Sequence, residues 1–120
     1  MPAPSPLTQS STHLGLTDAL PVVTASTTSR VVLDNEKLRV VNFTFDAGQE
    51  LTEHSTPRAV VCHLTAGRMH FTVDGTTHLL DSGDMIYLAP DAPHALTAET
   101  PCRLTLTMVD VDRPRTATDE

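Results

Sequence analysis

From Arg30 to Val111 the apolar runs are short, alternate with polar residues and are bounded by turn formers, a pattern that suits strands. No window in this span carries apolar residues at helical spacing over a useful length. The sharpest single signal is Asp74-Gly75, set between "RMHFTV" and "TTHLL". A two-residue type I′ turn needs positive φ at both positions, which Asp and Gly tolerate, so the two runs form a hairpin. The turn then fixes a register. Val73 pairs with Thr76 and Phe71 with His78, and paired residues share a face. Met69, Phe71, Val73 and Leu80 make that face apolar, which turns His78 inward and leaves His70 outward, opposite Leu79.

The other runs read the same way. "LRVVNFTF" puts Leu38 and Val40 on one parity and Phe43 and Phe45 on the other, which predicts a bulge near Val41 and Asn42. "CRLTLTM" alternates cleanly, with Cys102, Leu104, Leu106 and Met108 inward and Arg103, Thr105 and Thr107 outward. About eight or nine strands, with turns roughly every eight to twelve residues, predict an all-β sandwich or small barrel.

The ends differ from this middle. Residues 1–29 begin "MPAPSPLTQSST" and read as a flexible N-terminal arm, with "LGLTDALP" able to dock as a turn or extended segment. Residues 112–120 read as a flexible C-terminal tail. The folding unit is therefore residues 30–111, small enough that a homodimer is the expected remedy for a marginal core. A net charge of −7 with scattered basic residues argues against nucleic acid. No apolar run approaches membrane-spanning length, which argues against a membrane partner. The start lacks the basic and apolar regions of a signal peptide, and Cys62 and Cys102 sit in apolar strand patterns as reduced thiols. A cytoplasmic location is the expectation.

Two segments together resemble the motifs of the cupin superfamily, in its small, single-domain conserved-barrel form. In the first, Gly48 is followed by five residues and His54; Thr56 stands for a second histidine, Val60 for a glutamate, and Gly67 falls in register seven residues later. In the second, "GDMIYLAPDAPHALTA" gives Gly83, then Ala89 at a proline position with Pro90 beside it. Asp91 stands there for a glycine, His94 for the histidine and Ala98 for an asparagine. The resemblance implies a double-stranded β-helix (jelly-roll) barrel. It also implies a divalent metal (iron, manganese, nickel or zinc) held by three histidines and a glutamate, of which only His54 and His94 carry over. A catalytic metal usually keeps three protein ligands, so the first motif is degenerate and the site holds a metal weakly or none.

Each remaining donor has a core or solvated reading beside the functional one. Cys62 shares the inward face of Val60 and reads as a core thiol. His78 reads as a packed core histidine and His63 as outward. Glu50 shares the sequence parity of His54 and is a further ligand candidate. Arg58 reads as a solvated turn arginine, with an anion at the pocket mouth as the alternative. The expected pocket is Thr56, Val60, Cys62, Phe71, His78 and Met108 around His54 and His94. The expected function is binding of a small-molecule ligand, with a metal-dependent oxygenase or isomerase as the alternative. Catalytic residues are not assignable from the sequence.

Overall fold

The computed structural model describes residues 4–111; the tail expected at 112–120 and the first three residues lie outside them. One short helix, α1 (Leu16–Ala19), precedes nine strands: β1 (Thr27–Asp34), β2 (Leu38–Phe45), β3 (Glu50–His54), β4 (Ala59–Ala66) and β5 (Arg68–Val73), then β6 (Thr76–Asp81), β7 (Met85–Leu88), β8 (His94–Ala98) and β9 (Cys102–Val109). The expected turn is present, with Asp74 at φ 49° and Gly75 at φ 83°, and the β5–β6 register is the expected one from Arg68↔Asp81 to Val73↔Thr76. Outward from this turn the pairing nests: β5 with β6, β4 with β7, β3 with β8 and β2 with β9. A long antiparallel ribbon has wrapped on itself, as in a jelly roll.

The strands form two separate antiparallel sheets, β1-β2-β9-β4-β7 and β3-β8-β5-β6, rather than one closed hydrogen-bonded barrel. Between them lies a single apolar core. Phe45, Val60, Cys62, Leu64, Met69, Phe71, Leu104 and their neighbours are almost wholly buried. Burying each large side chain contributes about 1.5–3 kcal/mol, which is what holds the two layers together. β9 alternates as expected, and Cys102, Leu104 and Leu106 are buried.

Two expectations about strands need correction. β2 runs against β9 without interruption from Leu38 to Phe45, so there is no bulge at Val41 and Asn42. The irregularity lies in the partner β1, between Val31 and Leu33. Val41, Phe43 and Phe45 therefore share the inner face, where the two rings stack at 5.8 Å. The boundary drawn at residue 30 also falls inside β1, which starts at Thr27. The segment before it is tied to the sheet. Arg103 Nη1 donates to the Leu20 carbonyl at 2.9 Å, Thr44 Oγ1 to the Pro21 carbonyl at 3.3 Å, and the Ala25 amide to Asp46 Oδ2 at 2.6 Å. Thr44, on the outer face, is 1 % exposed for that reason.

Candidate functional site

His54 ends β3 and His94 opens β8, so both stand at one end of the sandwich. They are direct cross-strand partners, with ring centroids 4.2 Å apart and planes tilted by 57°. A β-bulge makes them so: from Leu51↔Leu96 to His54↔His94, β3 advances three residues while β8 advances two. The same bulge corrects the reading of Glu50. Sequence parity puts Glu50 with His54, but the extra residue reverses parity, so Glu50 pairs with Thr97 on the exposed face. Leu51, packed on the core, takes the inner face instead.

The two histidines are held alike. His54 Nδ1 lies 2.8 Å from the Thr52 carbonyl and His94 Nδ1 lies 3.0 Å from the Ala92 carbonyl. A carbonyl oxygen can only accept, so each Nδ1 carries the proton and each Nε2 of the neutral ring keeps its lone pair. His94 is buried, 6 % exposed, and lies parallel to Phe71 at 6.1 Å, while His54 is open to solvent. Burial lowers the His94 pKa, aided by the neighbouring His54 and opposed by the Ala92 hydrogen bond. One ring is thus kept neutral and fixed; the other is accessible.

The expected pocket residues separate into groups. Val60, Cys62 and Phe71 are each 1 % exposed and belong to the packed core, with Met108 half-buried against it. Thr56 is half-buried, but its hydroxyl accepts from the Arg58 amide at 3.3 Å and its carbonyl accepts from the Asp91 amide at 2.7 Å. It fastens the β3–β4 loop to the β7–β8 loop. His78 is not packed in the core. It pairs with Phe71 as expected, yet it is exposed, on β6, an edge strand of its sheet. His63 and His70 are exposed. Sequence reasoning undervalued Arg58, which is half-buried, with Nη1 out of contact with solvent. The signal was its spacing two residues before Val60 on an inward-facing parity.

These residues do not fit a catalytic metal with three protein ligands. The two Nε2 lone pairs are suited to an ion, but Val60 occupies the carboxylate position and Glu50 faces away. Burial pushes the Cys62 thiol up to about 12, so it is no thiolate at neutral pH. Among the described residues, no three His, Cys, Asp or Glu side chains gather as a metal site. The cavities described, of about 780 and 290 Å³, lie elsewhere. They flank α1 and the preceding segment, the first against Ser29 and Arg30 of β1, the second against Asn42 and Arg103.

A two-sheeted jelly-roll ribbon with paired histidines at one end is the architecture of a cupin. The family model described as "Cupin domain" matches residues 41–110, and the chain belongs to that family. Among solved structures it is similar to a conserved protein of unknown function from Streptococcus pyogenes, at 24 % identity and TM-score 0.77, covering 92 % of this chain and 97 % of that one. It is also similar to an RmlC-like cupin from Desulfovibrio desulfuricans, at 24 % identity and TM-score 0.73, covering 84 % of this chain and 97 % of that one. A mutant form of salicylate 1,2-dioxygenase from Pseudoaminobacter salicylatoxidans matches at 21 % identity and TM-score 0.67, over 77 % of this chain and 29 % of that one. Identities this low establish the fold alone. No protein of curated function matches the chain. Among the described residues no helix is long and apolar enough to cross a membrane.

Proposed function

We propose that this cupin binds a small organic molecule at the open end of the sandwich, against His54 and His94. The matched anchoring of the two rings carries the reading. Each Nδ1–H is committed to the carbonyl two residues before it, which leaves two Nε2 acceptors on rings whose centroids lie 4.2 Å apart. The Phe71 ring, buried in the core, lies parallel to His94 and backs that ring. A few convergent polar groups on an apolar floor are the usual form of a small-molecule site. Screening neutral fragments by nuclear magnetic resonance tests this. Hits should shift the His54 and His94 ring signals and be lost in the His54→Ala, His94→Ala double variant. Hits that bind with the rings unmoved would sink it.

The same anchoring supports a second reading, a divalent ion held weakly by two imidazoles and completed by the ligand or by water. Ring N–H groups fixed on carbonyls are the usual support of metal-bound histidine. An oxygenase or isomerase would follow only if such an ion binds. Elemental analysis of tag-free protein loaded with iron, manganese, nickel and zinc decides. Stoichiometric metal that disappears in the double variant would move this reading ahead of the first. A homodimer and a cytoplasmic location complete the proposal. Tyr87 and Met85 are exposed at 59 % and 63 % on the β7 edge strand, and sedimentation velocity tests the assembly.

A further inference from the structure

We propose that Arg58 is the anion-recognising residue of this open end, and that the ligand is a small organic monocarboxylate carrying a hydroxyl group. The inference rests on the reading above, that a small molecule binds at the histidine pair. Arg58 stands four residues after His54, in the loop that Thr56 and Asp91 fasten to the loop preceding His94. Val60, Cys62 and Leu64 of β4 face the core, and Arg58, in the bend that leads directly into β4, is itself half-buried at the same end. Its Nη1 is buried and, among the described residues, has no hydrogen-bond partner.

A buried guanidinium N–H without an acceptor is costly, and such a group calls for a water or an ion to meet it. The fork geometry of arginine suits a planar carboxylate. The neighbouring groups narrow the class. The histidines present lone pairs, which repel an anion but accept from a hydroxyl. Glu53, beside His54 in β3, is exposed and disfavours added negative charge. One guanidinium beside neutral imidazoles suits the single charge of a carboxylate better than the two of a phosphate. A carboxylate on Arg58 with a hydroxyl donating to one Nε2 meets the guanidinium and one of the two imidazoles.

Titration calorimetry and ring-signal mapping of the full chain test this, with 2-hydroxybutyrate, butyrate, 2-hydroxybutyramide and inorganic phosphate as probes. The hydroxy acid should shift both the Arg58 guanidinium and the histidine rings. The amide, and separately Arg58→Gln, should weaken binding about tenfold or more, with Arg58→Lys intermediate. Circular dichroism of both variants checks folding, and the amide comparison needs no variant at all. An amide as tight as the acid, with histidine shifts intact, would overturn anion recognition and leave the small-molecule reading standing. Phosphate binding tighter than the hydroxy acid would overturn the carboxylate assignment. If none of the probes binds, the inference fails, while the neutral-fragment screen judges the site itself.

Discussion

His54 and His94 face each other across β3 and β8 because β3 carries one residue more than β8 needs between Leu51 and His54. Without the bulge, Glu53 would stand opposite His94. A variant lacking Glu53 should therefore keep the pair, since a regular strand then carries His54 directly opposite His94 with Leu51 still inward. Ring-to-ring proton contacts should persist in its spectra. Their loss would mean that the bulge sets ring geometry as well as register.

Acid should weaken the fold through His94. Its folded pKa is depressed below the ordinary 6.5, first by burial and then by His54, so the unfolded chain takes up the proton more readily. Stability from neutral His94 is complete above about pH 6.5 and is lost as pH falls through the lower folded value. Denaturant midpoints should fall between about pH 7 and pH 5, and His94→Gln should flatten that fall. An equally steep curve in the variant would place the acid sensitivity elsewhere.

Much of this was legible in the sequence, and the failures share a cause. Asp74-Gly75 fixed the hairpin because a two-residue turn leaves one register available. His54 and His94 were found by spacing, which survives loss of the other ligand positions. Glu50 and His78 were misplaced because parity is local information. A bulge reverses it at Glu50, and the inward-paired His78 lies uncovered on β6, an edge strand. The bulge expected near Val41 rests on two strand faces that are both apolar. The outer one is covered by the N-terminal segment, which sequence parity cannot foresee.

Neither cysteine should react while the chain is folded. Both are buried, Cys62 is pushed up to about 12 by burial, and burial also raises Cys102 despite its hydrogen bonds to Arg68 and Thr100. The thiolate is the reactive form, so a disulfide reagent at about pH 8 should titrate no thiol in native protein and both after denaturation. Rapid native labelling of Cys62 would contradict its place in the core.

Gly67 should be far less replaceable than Gly75. At φ 97° it is already left-handed, and an added Cβ would lie 2.7 Å from Cys102 Sγ and closer still to the Pro101 carbonyl. Gly67→Ala should cost on the order of 2–4 kcal/mol from backbone strain and overpacking together. Gly75 shares the positive φ but has open space, so Gly75→Ala should cost only about 1–2 kcal/mol. Urea unfolding of the two variants compares them directly, and equal losses would count against the crowding at Gly67.

The N-terminal segment should stabilise the sandwich rather than trail from it. Arg103 Nη1 on the Leu20 carbonyl and Thr44 Oγ1 on the Pro21 carbonyl join sequence positions far apart, and the Ser5 amide reaches the Asp34 carbonyl at 2.6 Å. A hydrogen bond from a charged donor contributes about 1.5–3 kcal/mol, so Arg103→Ala should lower stability by roughly that amount. Removing residues 1–26 deletes the same acceptor and uncovers Thr44, so it should cost at least as much. In the truncated chain Arg103→Ala should then cost little, because its partner has already gone. Additive losses in the double change would mean that Arg103 acts through the sheet and not through Leu20.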